Sequence, residues 1–260
     1  MKILFAGDVV GRAGRQILEQ GLAKLREDHA LDFVVANVEN AAAGFGVTPQ
    51  IARSFLDGGV DVMTSGNHIW DRKEIIEYIV KENLLLRPAN YPVGTPGVGS
   101  VVVKAGPHKV AVLNLMGRVF LPTIDCPFRK ADEEVARLRE ETAIIVVDMH
   151  GEATSEKQAM GWYLDGRASA VLGTHSHVQT ADERILPGGT AYITDLGMTG
   201  PVDSVIGVAR ELAIQRFLSQ MPNRFEPAKG PTALHGALVR IDPESGKALE
   251  IRRIRAPLSA

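Results

Sequence analysis

Apolar residues in this chain come in short runs that stop at a glycine or a polar residue. Residues 3–6 run into Gly7-Asp8, residues 33–38 into Glu39-Asn40, and residues 60–64 into Ser65-Gly66-Asn67-His68. Runs of this length, bounded by turn formers, predict buried strands. Between them the spacing changes to that of a helix. Ile17, Leu18, Leu22 and Leu25 predict a helix over 12–26, and Thr48-Pro49 a capped helix ending near Leu56. A third helix is predicted over 71–80. Strand, polar loop and helix in a repeated series is the rhythm of a parallel sheet covered by helices.

The second part of the chain has more β-branched residues. Residues 100–104 and 109–115 flank Gly106-Pro107 and predict a hairpin. A charged helix is expected over 129–141, and a strand over 143–149 that ends at His150. A helix over 155–164 follows. The strand at 168–172 leads into Gly173-Thr174-His175-Ser176-His177. A short strand at 190–194, an amphipathic helix at 208–220 and a last hairpin, 234–241 with 248–254, complete the series. The expected architecture is α/β: two mixed sheets packed face to face with helices outside. With no long polar linker, it is read as a single domain over 1–260.

Composition narrows the classes. The 260 residues are 45% hydrophobic, enough for a large core. Lys plus Arg number 29 against 31 for Asp plus Glu, a net charge of -2, so no strong field favours a nucleic-acid polymer or an anionic membrane. One cysteine, Cys126, rules out an intrachain disulfide framework and fits a reducing compartment. The N-terminal apolar run is too short for a signal peptide, and no stretch has the length of a membrane span. A cytoplasmic location is expected.

The chemistry gathers at the strand ends. Asp8, Glu39-Asn40, Asn67-His68, His150 and His175-Ser176-His177 each follow a predicted strand. In open α/β sheets, ligands bind outside the carboxyl ends of the strands. Alone, Asp8 or Glu39 would serve as a helix cap, and one histidine as a loop residue. Five ends carrying oxygen and nitrogen donors, without thiolate, suit Mn, Fe, Mg or Zn. Gly11-x-x-Gly14 lacks the dinucleotide fingerprint, and no Gly-Lys-Ser/Thr is present.

This pattern resembles the calcineurin-like metallophosphoesterases, with three departures. Val10 stands where a histidine is usual, Glu39 where the bridging Asp is usual, and Thr174 is inserted before His175. Those departures, with Gly66-Asn67-His68-Ile69-Trp70-Asp71, Arg87-Pro88-Ala89-Asn90-Tyr91-Pro92 and Asp195-Leu196-Gly197-Met198-Thr199-Gly200-Pro201, are similar to the YmdB-like bacterial phosphodiesterases. The resemblance implies a four-layer αββα sandwich that hydrolyses 2′,3′-cyclic nucleotides, 2′,3′-cAMP above all, at the 2′ bond. It implies that Asn40 replaces the missing histidine ligand.

On this reading two ions are expected, iron or manganese favoured, with magnesium or zinc as alternatives. One is held by Asp8, Glu39, Asn40 and His177, the other by Glu39, Asn67, His150 and His175. A hydroxide between them is the expected nucleophile, and His68 the expected general acid. Arg118 and Tyr91 are candidate substrate contacts. The expected partners are a small cyclic nucleotide and further copies of the chain. A broader phosphomonoesterase or phosphodiesterase, and a nucleotide-sensing regulator, are the competing functions.

Overall fold

The computed structural model describes residues 1–222 and 224–257. Its elements are β1 (Lys2–Ala6), β2 (Asp8–Val9), α1 (Gly11–His29), β3 (Phe33–Asn37), α2 (Pro49–Asp57), β4 (Val62–Thr64) and α3 (Ile75–Ile79). There follow β5 (Ser100–Ala105), β6 (His108–Met116), α4 (Pro127–Arg139), β7 (Ile145–His150), α5 (Thr154–Tyr163) and β8 (Ala170–Thr174). The chain continues through β9 (Arg184–Ile185), β10 (Ala191–Ile193), β11 (Met198–Pro201) and α6 (Arg210–Ser219), and closes with β12 (Thr232–Ile241) and β13 (Ala248–Pro257).

The expected helix at 71–80 is regular only over Ile75–Ile79. The preceding turn is held by side chains instead. Asp71 Oδ2 lies 2.8 Å from His68 Nδ1, and Arg72 donates to the carbonyls of Ala42 and Phe45. Such local bonds compete with the helical ladder. The strand expected at 168–172 is shifted to Ala170–Thr174, because Gly173 and Thr174 pair with Met149 and His150 of β7 and extend the ladder. Thr48 caps α2 by accepting from the Ile51 N–H at 3.3 Å, and α1 buries Ile17, Leu18, Leu22 and Leu25.

Two mixed sheets form. The first has the order β2-β11-β12-β1-β3-β4, with β13 paired to β12. The second has the order β5-β6-β7-β8-β10-β9. The two hairpins exchange halves. The middle hairpin, β5-β6, joins β7 in the second sheet. The last hairpin returns to the first sheet, where β12 pairs antiparallel with β1, Lys2 opposite Arg240.

Strict alternation along the strands separates three apolar layers. Ile3, Phe5, Phe33 and Val35 join Val110, Val112, Val146 and Leu172 between the sheets. Leu4, Val34 and Met63 face α1 and α2 on one outer side. Leu113, Val147 and Val171 face α4 and α5 on the other. This is the four-layer αββα arrangement, and each fully buried Phe, Leu or Ile contributes about 1.5–3 kcal/mol. No helix among the described residues is long and apolar enough to cross a membrane.

One polar seam interrupts the middle layer, just below the strand ends. Asp148 of β7 accepts from Asn37 of β3 at 3.0 Å, from Thr64 of β4 and from Thr174 of β8 at 2.7 Å. All four residues are fully buried. A buried carboxylate is tolerated only when hydrogen-bonded in this way. The seam therefore fixes how the two sheets meet at the edge where the polar residues lie.

Candidate active site

The carboxyl ends of β1, β3, β4, β7 and β8 bring the predicted residues together. Asp8 is fully buried, and its Oδ2 accepts from the His175 N–H at 3.1 Å. Glu39 Oε2 accepts from the His68 N–H at 3.0 Å, and Oε1 lies 3.2 Å from His150 Nε2. Asn67 Oδ1 and His175 Nδ1 are each 3.0 Å from the same His150 nitrogen. This crowding explains Gly66. A Cβ there would sit 2.2 Å from the His150 ring and 2.6 Å from Glu39 Oε2.

Each histidine has its remote nitrogen engaged, which assigns the tautomer from the network. Thr174 Oγ1 gives its hydrogen to Asp148, so it accepts from His150 Nδ1 at 2.9 Å. His175 Nε2 donates to Glu152 Oε2 at 3.0 Å. His177 Nδ1 donates to the Ile206 carbonyl at 2.8 Å. The nitrogens left over, His150 Nε2, His175 Nδ1 and His177 Nε2, all turn inward. Outer partners of this kind orient histidine ligands in metal sites.

The loop carrying the last two histidines is strained. His175 has φ 100° and His177 φ 63°, conformations that cost of order 1–3 kcal/mol each in a residue with a side chain. Asp195 holds it, accepting from the Ser176 N–H at 3.0 Å and the Gly197 N–H at 2.8 Å. Asp195 is in turn paired at 2.8 Å with Lys157, which also donates to the Thr174 carbonyl. Both members of that pair are buried.

The field at the centre calls for positive charge. Burial alone would raise the Glu39 carboxyl, but His150 beside it, and His68, bring it down to about 2. Burial would lower His150, yet Glu39, Asp8 and Asp148 push it up to about 9. Burial, reinforced by His150, drops His175 to about 3. Burial raises Asp8. Acceptors and lone pairs converge here, and two buried oxygens, Asp8 Oδ1 and Asn40 Oδ1, have no partner. His177 Nε2 is 3.8 Å from Asp8 Oδ1. Glu39, His150 and His175 offer donor atoms within 4.8 Å of one another and form a candidate metal cluster. The donor set and its orphaned oxygens fit cations.

A cavity of about 440 Å³ opens beside this centre, lined by Glu39, Asn40, His68, His175 and His177. His68 meets Phe45 edge-on, with ring centroids 5.0 Å apart. Val10 lines the cavity as an apolar residue, and residues 206–208 border it. The two candidate substrate contacts are not brought there. Tyr91 packs edge-on against Trp70 at 5.9 Å, and the Arg118 backbone is bound to Glu156. Neither lines the cavity. Their loops are set by contacts distant in sequence. Asn90 and Gln179 are likewise occupied, holding backbone carbonyls of Met116 and Gly236.

Sequence reasoning missed Asp148, Glu152 and Lys157. Asp148 left one signal, a lone charge inside the apolar run of β7. Glu152 and Lys157 left none, because their partners lie on other elements.

The family model for the YmdB-like protein matches residues 4–254. The chain belongs to the YmdB-like family. One relative in it, from Bacillus subtilis (strain 168), is 53% identical over 254 residues, covering 98% of this chain and 96% of the relative. That relative is named 2′,3′-cyclic-nucleotide 2′-phosphodiesterase. Among solved structures, a hypothetical protein from Thermus thermophilus superposes with a TM-score of 0.92 at 40% identity, covering 99% of both chains. A novel phosphatase from Mycoplasma pneumoniae gives a TM-score of 0.92 at 35% identity, covering 99% of this chain and 93% of the other. The chain thus shares the fold of these two structures, and its two packed sheets are those the strand pattern implies.

Proposed function

We propose that this chain is a metal-dependent phosphodiesterase that opens 2′,3′-cyclic nucleotides, 2′,3′-cAMP favoured, to 3′-nucleotides. The observation that carries it is the inward convergence of Glu39, His150 and His175 beside the unpartnered oxygens of Asp8 and Asn40. The Bacillus subtilis relative's name supports the substrate class. Asp8, Glu39, Asn40 and His177 would hold one cation, and Glu39, Asn67, His150 and His175 a second, with iron or manganese favoured. Such cations, when bound, supply Lewis acidity toward phosphoryl oxygens and acidify water.

The chain's own residues do the rest. His68 stands at the cavity wall with Nδ1 held by Asp71 at 2.8 Å, which leaves Nε2 for substrate. As water adds to phosphorus and releases one proton to solvent, the P–O2′ bond breaks, and His68 gives its proton to the departing 2′ oxygen. Asp71 then supports the imidazolium before it gives up that proton and after it regains one. General acid catalysis of this kind contributes a factor of about 10²–10⁴. The strained histidine loop, fixed by Asp195 and Lys157, presents two donors without waiting for substrate to order it.

This reading carries with it a single domain, a cytoplasmic location, a homo-oligomeric assembly and no nucleic-acid polymer as partner. The test is a substrate panel with metal-replete protein: 2′,3′-cyclic, 3′,5′-cyclic and bis-p-nitrophenyl esters and a phosphomonoester. The expected result is highest kcat/KM on the 2′,3′-cyclic esters, with the 3′-nucleotide as product. Fastest turnover of the monoester would overturn it. Tight nucleotide binding without any hydrolysis would favour a sensor.

A further inference from the structure

The cavity lining is of two kinds, and the first and second are called its poles. One is the cluster of donors with His68. The other is apolar, built from Phe45, Val208, Phe225 and Pro227. No step of the hydrolysis uses this second pole. We infer that it is the nucleobase subsite, and that it makes the enzyme discriminate for cyclic esters that carry a base. The inference rests on the function proposed above.

Substrate connectivity sets where the base must lie. The base is bonded to C1′, and C1′ is bonded to C2′, which bears the departing oxygen. A residue that protonates O2′ therefore has the base within a few ångströms. The wall beside His68 is the wall the base meets. Phe45 is the aromatic ring in contact with His68, at 5.0 Å between centroids. It is 40% exposed, leaving ring surface open for stacking.

This wall is assembled before substrate arrives. Arg72 donates to the Phe45 carbonyl at 3.2 Å and the Ala42 carbonyl at 2.8 Å, and Asn40 Nδ2 donates to the Gly44 carbonyl at 2.9 Å. On the far side, Val208 and Pro227 form an antiparallel bridge. The Ala209 N–H donates to the Glu226 carbonyl at 3.0 Å, and the Ala228 N–H to the Gly207 carbonyl at 2.8 Å. Phe225 is flanked by the Arg216 guanidinium, 5.5 Å from its ring centre. The two sides also touch each other. Pro227 packs over Gly44 and Gly11, where added Cβ atoms would come within 3.8 and 3.3 Å of its ring. A preorganised aromatic wall loses little freedom on binding, and stacking of one base on it favours binding by roughly tenfold to a hundredfold.

The experiment compares kcat/KM for 2′,3′-cAMP with that for 1-deoxyribose 2′,3′-cyclic phosphate, the same ester without a base. Wild type is expected to favour the nucleotide by about tenfold or more. Phe225→Ala and, separately, Phe45→Ala should lower that ratio by about tenfold, through KM for the nucleotide, and Phe45→Trp should restore it. Phe225 sits on a different segment from Phe45, so its variant separates a base contact from a disturbed His68. Equal losses on both esters would overturn the inference, since the wall would then act on His68 or on folding. A ratio that does not move in either alanine variant would overturn it too. A wild type inactive on both cyclic esters would instead defeat the function on which the subsite depends.

Discussion

The two sheets bring different chemistry to the site. The first, through β1, β2, β3 and β4, contributes oxygen: Asp8, Glu39, Asn40 and Asn67. The second, through β7 and β8, contributes nitrogen: His150, His175 and His177. Neither sheet holds a site alone. Asp8, Glu39 and Asn40 are buried, and their oxygens call for a counter-charge. The imidazoles of the second are oriented by Thr174, Glu152 and the Ile206 carbonyl, so that lone pairs point across the gap. The centre exists where the sheets meet, and the Asn37–Thr64–Asp148–Thr174 seam sets that meeting. The first sheet supplies charge; the second supplies direction.

Removing the charge should cost most. Glu39→Gln leaves the shape but cannot balance cations or the His150 imidazole. Turnover of 2′,3′-cAMP is expected to fall below detection and metal content, by elemental analysis, to fall with it. A variant that keeps both metal and near-full turnover would break the division of labour between the sheets.

His68 follows β4 of the oxygen-bearing sheet, and its backbone N–H donates to Glu39 of the donor cluster. His68→Ala should lose about 10²–10⁴ in kcat with metal content preserved. Protein that arrives without metal would move His68 into the ligand set.

Lys157→Met tests how firmly the direction is held. It leaves the Asp195 carboxylate buried without its partner, which costs about 3–5 kcal/mol of stability. Urea unfolding monitored by far-UV circular dichroism measures it, and a loss below about 1 kcal/mol, on the scale of an exposed pair, would show that the strained loop has another support.

The smallest effect is expected at the outer partners. Glu152→Gln keeps an acceptor for His175 Nε2 but removes the charge, and Thr174→Val removes the acceptor for His150 Nδ1. Each should weaken metal affinity by about 10–100-fold in a chelator competition. If Thr174→Val matches wild type, the His150 tautomer does not depend on the Thr174 acceptor.

The site was legible where it sits at strand ends. Asp8, Glu39, Asn67, His150 and His175 could be read because an apolar run followed by a polar residue marks the carboxyl end of a buried strand. Tyr91 and Arg118 stand outside the cavity lining, because a loop's direction depends on what it packs against: Trp70 in one case, Glu156 in the other. The helix expected over 71–80 was shortened for a related reason. Arg72 found partners in the loop over 42–45, outside any helical pattern.

By itself the sequence determined the order of strands and helices, the alternation that lets each strand bury two faces, and the donor residues with their chemical type. These follow from local periodicity and from the chemistry of single residues. Only the tertiary structure decided that the last hairpin returns to β1 and the middle one to β7. It alone decided that Asp148, Glu152 and Lys157 support the histidines, and that Phe45 and Phe225 line one cavity. The physical reason is that strand pairing and side-chain orientation are contacts between segments far apart in the chain. A residue's own neighbours carry no record of a partner 111 positions away, the separation between Asn37 and Asp148.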